Sequence, residues 1–177
     1  MGHVPWLDED EQRTWRAFLA ANRLVSAKLE QSLQTESGMP QAYYELLVRL
    51  SEAPDRTLRM SELATTSQSS RSRVSHAVAR MEEAGWIART SCPTDRRGQL
   101  AALTDRGMAV LEDAAPGHVR MVRSTVFDAL TREQQHALRE ASEALVAHLS
   151  DGPLWLVDGE SAPDPGCDGG GGGCASA

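Results

Sequence analysis

The chain has 177 residues, of which 41% are apolar and 24% charged, with a formal net charge of −7, a size that suits one domain with appendages rather than a multidomain enzyme. No segment approaches the ~20 uncharged apolar residues that span a bilayer, and the opening MGHVPWLDEDEQ carries acids where a secretory signal needs a basic start and an apolar run, so a cytoplasmic protein with no membrane association is expected. Three cysteines, Cys92 alone and Cys167 and Cys174 in a glycine tract, make no disulfide framework, and five histidines without HExxH, HxxxH or a CxxC pair exclude the usual zinc patterns.

In chain order, residues 7–33 place Trp15, Phe18, Leu19, Val25, Leu29 and Leu33 at helical spacing behind acids in the opening turn, which predicts a long amphipathic helix. Ser37-Gly38-Met39-Pro40 stops it, with Pro40 suited to a first helical turn. A shorter helix over 42–51 carries Tyr43, Leu46, Leu47 and Leu50 on one face and ends at Ala53-Pro54-Asp55. Residues 60–66 (MSELATT) form a short helix, Ser67-Gln68-Ser69 is a turn of capping residues, and 70–84 is a helix that Gly85 ends in a left-handed cap. Two strand-like runs, 86–91 and 99–103, flank the turn-rich 93–98 and predict a hairpin. Beyond Thr104 the chain is again helical, with Met108, Leu111, Ala115, Val119, Val122, Val126 and Leu130 in one seam and Pro116-Gly117 as the point of a kink or break. Thr131-Arg132-Glu133-Gln134 has capping-box spacing, and Leu138, Ala141, Leu145 and Leu149 line a last helix. From 151 to 177 the composition turns to glycine and proline, too poor in apolar surface to offset its ordering entropy. A flexible tail is expected, with Leu154-Trp155-Leu156-Val157 its one stretch apolar enough to dock.

The charge is uneven. Residues 56–106 hold nine arginines against five acids, a net of +4, so the remainder carries −11. Seventeen of the eighteen basic residues are arginine, which genome composition explains without explaining the clustering. In the helix over 70–84, Val74, Val78 and Met81 form the buried face and leave Arg71, Ser72, Arg73, Ser75, His76 and Arg80 outward. Two helices joined by a tight turn, the second with a basic outer face, make a helix-turn-helix pattern. An ordinary solvated face is the alternative for Arg71, Arg73 and Arg80; turn, hairpin and cluster together weigh against it. Arg96 and Arg97 at a thin tip suit a minor groove that a helix cannot enter, against a merely solubilising role. Asp95 would repel phosphate, so its expected part is to brace Arg97.

The run LRMSELATTSQSSRSRVSHAVARMEEAGWIARTSCPTDRRGQLAALTDRG resembles the MarR family of winged-helix transcriptional regulators. The resemblance rests on Ser61-Glu62-Leu63-Ala64, a recognition helix from Ser70, Met81-Glu82-Glu83-Ala84-Gly85, the wing Asp95-Arg96-Arg97, and Leu103-Thr104-Asp105-Arg106-Gly107, in the family's order. It implies a mainly α fold with a small β-hairpin wing: a winged helix-turn-helix domain over 1–150, its DNA-binding lobe about 56–106, flanked by dimerisation helices about 7–33 and 105–149. It also implies a homodimeric repressor of double-stranded DNA reading a pseudo-palindrome through Ser70, Arg71, Ser72, Arg73, Ser75, His76, Arg80, Asp95, Arg96 and Arg97. Asp95 and Arg97 match the wing pair of the family, and His76 stands where the family often has arginine. The family often takes small aromatic effectors, which makes Trp15, Tyr43 and Tyr44 candidate ligand residues against a plain role in the core. Cys92 reads as packing before redox switch, and Cys167 with Cys174 as free thiols before a disulfide. No nucleophile and base pair, phosphate loop, metal set or cofactor signature supports an enzyme. The remaining alternative is a ligand or redox sensor that acts through protein partners with little DNA binding.

Overall fold

The structure, a computed structural model, describes residues 5–67, 69–92 and 95–149, except for the side chains of Arg96 and Arg97. In chain order it contains α1 (Glu9–Ser37), α2 (Gln41–Glu52), a 3₁₀ turn (Pro54–Arg56), β1 (Thr57–Arg59), α3 (Met60–Thr66), α4 (Arg71–Glu83), β2 (Ile87–Cys92), β3 (Asp95–Leu103), α5 (Asp105–Val122), a π-helical turn (Arg123–Phe127) and α6 (Arg132–Leu149). The expected tail, with Leu154-Trp155-Leu156-Val157, Cys167 and Cys174, lies outside the described residues. Two compact units form: one joins residues 5–41 with 112–144, the other residues 42–111 with 145–149.

In the first unit, local chemistry sets where α1 begins and ends. Asp8 accepts from the Glu11 amide and Glu11 from the Asp8 amide, each at 2.8 Å, a reciprocal cap. At the other end Gly38 sits at φ 63° and donates to the Gln34 carbonyl, a left-handed closure that glycine adopts without strain. Helix α6 opens in the same way, with Thr131 and Gln134 capping each other at 2.9 and 3.3 Å. Of the kink or break expected at Pro116-Gly117, a break does not occur: α5 runs through both residues to Val122. Proline removes one amide donor there, while the apolar period persists on both sides of it. The irregularity falls instead at Arg123–Phe127, where the Asp128 amide reaches back five residues to the Arg123 carbonyl at 2.8 Å. On α1 and α6, the helices expected to dimerise, much apolar surface is left uncovered in the single chain. Trp15, Phe18 and Leu24 on α1 and Leu138, Leu145 and Leu149 on α6 are exposed, and α6 buries no residue.

The second unit is built on a buried cluster of Leu46, Leu47 and Leu50 from α2, Leu63 from α3, Val74, Val78 and Met81 from α4, and Leu58, Ile87, Ala101 and Leu103 from the strands. The sheet has three antiparallel strands in the order β1-β3-β2, where the sequence predicts a two-stranded hairpin. The extra strand β1, only three residues, pairs Thr57 with Ala102, Leu58 with Ala101 and Arg59 with Leu100. It is too short for alternation to reveal and exists because β3 supplies its hydrogen bonds. Asp55 and Arg56, both at positive φ, turn the chain into it. Strand β3 also starts earlier than predicted, at Asp95, so Asp95, Arg96 and Arg97 belong to a strand and not to a loop.

Thr104 and Gly107 join the sheet to α5. The Thr104 amide donates to the Trp86 carbonyl at 3.0 Å, its hydroxyl lies 2.8 Å from the Gly85 carbonyl, and the Gly107 amide donates to that hydroxyl at 3.0 Å. A Cβ at Gly107 would collide with the Trp86 carbonyl, so this close approach requires glycine.

Candidate nucleic-acid interface

Helix α4 starts at Ser70, whose hydroxyl accepts from the Arg73 amide at 3.4 Å and lies 3.2 Å from the Ser72 hydroxyl. Its period sends Val74, Val78 and Met81 into the core, and Ser70, Arg71, Ser72, Arg73, Ser75, His76 and Arg80 are all exposed, the arrangement that the sequence predicts. Gly85, at φ 75°, ends the helix and turns the chain into β2. The structure thus brings the helix candidates onto one solvent face. Arg96 and Arg97 lie in β3, but their side chains, and with them the expected brace from Asp95 to Arg97, lie outside the described residues.

Electrostatics sorts the arginines in a way that sequence reasoning missed. Four of the five acids in 56–106 each hold an arginine: Asp105 with Arg56 at 3.5 Å, Asp95 with Arg59 at 3.7 Å, Glu83 with Arg80 at 3.1 Å and Glu82 with Arg89 at 2.5 Å. The excess positive charge therefore sits on the other arginines, which include Arg71 and Arg73 on α4; among the described residues these two meet no carboxylate. The Arg80 pair is fully on the surface and three residues apart, a weak interaction that leaves its guanidinium available.

The Glu82 pair is different in kind. Arg89 donates its Nε to Glu82 Oε2 at 2.7 Å and its backbone amide to Oε1 at 3.3 Å, with both side chains about two-thirds covered. The Arg89 hydrogen bond, ahead of every other influence, holds the Glu82 carboxyl below the ordinary glutamate range. This clamp ties the end of α4 to the first strand of the wing. Arg89 entered the sequence count as part of the basic cluster, yet its guanidinium is committed internally.

The candidate ligand residues are divided between the two units. Trp15 belongs to the first unit, where it stacks on Phe18 with ring centres 6.0 Å apart and lines a surface cleft of about 450 Å³ with Trp6, Leu7, Gln12 and Arg16. Tyr43 and Tyr44 belong to the second unit. Tyr44 is buried, and burial raises its phenol pKa, as expected of a core side chain. Cys92 is also buried, and among the described residues it forms no disulfide.

A family model described as MarR family matches residues 37–98. Sco3205, a MarR family transcriptional regulator from Streptomyces coelicolor whose crystal structure is a complex with DNA, is 48% identical, with 85% of this chain and 98% of that one covered and a TM-score of 0.79. The chain belongs to the MarR family. A second MarR family regulator from the same organism, AbsC, is 41% identical over 82% of this chain and 98% of its own, with a TM-score of 0.77. The HTH-type transcriptional regulator PapX of Escherichia coli is 27% identical over 114 residues, 64% of this chain and 69% of PapX. The fold is accordingly that of a MarR winged helix, mainly helical with a small antiparallel sheet as wing, and the protein is a MarR family transcriptional regulator. Among the described residues no helix is long and apolar enough to cross a membrane.

Proposed function

We infer that this MarR family regulator is a homodimeric repressor that reads a pseudo-palindromic operator in double-stranded DNA, with α4 in the major groove and the β2–β3 wing at the adjacent minor groove. The observation that carries the reading is the exposed face of α4. Arg71 and Arg73 stand there without carboxylate partners among the described residues, while neighbouring acids hold other arginines. Such a face attracts phosphate, and the acidic remainder of the chain repels DNA elsewhere, so binding has one orientation. Ser72, Arg73 and His76 face the bases and Arg80, a turn further on, faces phosphate; Ser70, Arg71 and Ser75 complete the helix contacts, and Arg96 and Arg97 make those of the wing, with Asp95 as a bracing rather than a contacting group. The relative Sco3205, whose structure is a complex with DNA, supports DNA binding as the activity.

Dimerisation is supported by the exposed Trp15, Phe18 and Leu24 of α1 and Leu138, Leu145 and Leu149 of α6. Covering them in a second copy would gain about 1–2 kcal/mol each, since between about a quarter and a half of each residue is already covered. A small aromatic effector would release the operator, with Trp15 and Tyr43 as its candidate contacts and Tyr44 retained for the core. The protein works in the cytoplasm, without a catalytic step or cofactor.

A footprint on the DNA immediately upstream of its own gene tests the reading, alongside light scattering. Protection of two half-sites about one helical turn apart is expected, with collapse to non-specific binding when ~5 bp are inserted between them. Equal binding to both spacings, or a stable folded monomer at micromolar concentration, would refute it.

A further inference from the structure

Strand β1 ends early. Its ladder to β3 stops at Arg59 opposite Leu100, while β3 runs outward to Asp95. On the other edge, pairing with β2 is regular to Ser91 opposite Gln99 and then slips to Cys92 opposite Asp95. Residues 96–98 are thus interpolated between two paired positions, and regular ladder hydrogen bonds do not set their direction relative to the helices. A side chain spans the gap instead. Arg59 NH1 stands 3.7 Å from Asp95 Oδ2, and the two residues line a cleft of about 320 Å³ with Met60, Ser61, Gly98 and Gln99. Gly98 is part of the same arrangement, because a Cβ there would stand 3.1 Å from Asp95 Oδ2 and 3.2 Å from Cys92 Cβ. The carboxylate therefore lies close over a bare α-carbon, where an added methyl would press on it.

Arg59 also occupies the N-cap position of α3, in extended geometry, and its side chain makes no cap hydrogen bond to that helix. Its backbone starts the helix-turn-helix while its guanidinium reaches the wing. We propose that Arg59 is a positioning residue for DNA recognition. Through Asp95 it sets the direction of the wing, and so decides whether the minor-groove contact is made together with the major-groove contact of α4. The proposal rests on the reading of this wing as a minor-groove element. With side chains 36% and 49% exposed, the pair contributes little to folding. Its effect is on geometry, so stability and DNA contact should separate.

The test uses the full chain and a duplex selected from random-sequence DNA by the wild-type protein. Hydroxyl-radical cleavage reads the minor groove and guanine N7 methylation the major groove. Arg59→Gln should lose minor-groove protection, keep guanine protection, bind about tenfold more weakly and keep its thermal midpoint and salt slope. Asp95→Asn should do the same, and the double variant should be no weaker than either single one, since both act in one unit. Arg59→Lys should recover most of the protection. Persistent minor-groove protection in Arg59→Gln overturns the proposal, as do additive losses with a lower salt slope, which mark a direct phosphate contact. Parallel loss in both grooves with a falling thermal midpoint in Arg59→Gln and Arg59→Lys makes Arg59 a folding residue and also overturns it. Selection of no duplex by the wild type would remove the DNA-binding reading itself, and this proposal with it.

Discussion

Gly107→Ala should remove about 4 kcal/mol of folding free energy, a figure that follows from the surroundings of its α-carbon. A Cβ there overlaps the Trp86 carbonyl oxygen and stands 2.7 Å from Leu103 Cδ1. Side-chain obstacles can rotate away, but this one is main chain, which puts the overpacking near the upper end of its range, about 3 kcal/mol. Relief requires α5 to move off Trp86, and that stretches the Thr104 joint, whose amide and hydroxyl contacts to Trp86 are each 3.0 Å long. Losing two such hydrogen bonds adds about 2 kcal/mol. Alanine offsets about 1 kcal/mol through helix propensity and a less mobile unfolded chain. Two other glycines serve as controls. At Gly117 the added atom meets the carboxylate of Glu36, the far end of a flexible side chain that also faces Arg120, so Gly117→Ala should stay within about 1 kcal/mol of wild type. At Gly38 nothing lies within 4 Å, but φ is 63°, so Gly38→Ala should cost about 1 kcal/mol for backbone strain alone. Urea unfolding followed by circular dichroism ranks the three, at one protein concentration because assembly would shift the midpoint. If Gly107→Ala is no worse than Gly117→Ala, the close approach at Trp86 is not what that glycine serves.

The Glu82–Arg89 clamp predicts a pH dependence. Its carboxyl has a lower pKa folded than unfolded, so the stabilisation is complete above the ordinary glutamate pKa and is lost as pH falls through the folded value. Glu82→Gln should therefore be less stable than wild type near neutrality and converge with it in acid; a gap that persists to the lowest pH at which both fold would remove the clamp as its cause. In the wing, Arg97→Ala should weaken operator binding by about 1–3 kcal/mol, and unchanged affinity at physiological salt would take Arg97 out of the site. On α4, Arg73→Ala should relax sequence preference, whereas Arg80→Ala should weaken all sequences alike and lower the log–log salt slope by roughly 0.9; the reverse pattern in a selection experiment would exchange their roles.

Helices were legible because their signals are local. The 3.6-residue period of Val74, Val78 and Met81, the reciprocal cap at Thr131, the stop at Ser37-Gly38 and the left-handed closure at Gly85 all act within a few residues of chain, and the structure keeps each. The outward set on α4 follows from the same period, so that part of the candidate site could be named before any coordinates. Boundaries were less secure, and α1 runs over Glu9–Ser37 where the apolar period marks 7–33, because polar residues at its end still gain helical hydrogen bonds until Gly38 intervenes.

What the sequence by itself determined, then, is the alternation of amphipathic helices around a basic helix-turn-helix, the order of motifs that marks the family, and the solvent face of α4. Tertiary structure alone decided which charges are committed. Arg89 to Glu82 spans seven residues, but Arg59 to Asp95 and Arg56 to Asp105 bridge more than thirty, and no local pattern announces such pairs. It likewise decided β1, three residues long and stable only against β3, and the meaning of Thr104 and Gly107, a motif visible in the sequence whose reason is the Trp86 carbonyl across the joint. Periodicity and caps depend on neighbours in the chain, whereas ladders, ion pairs and close approaches depend on neighbours in space, and those exist only once the chain has folded.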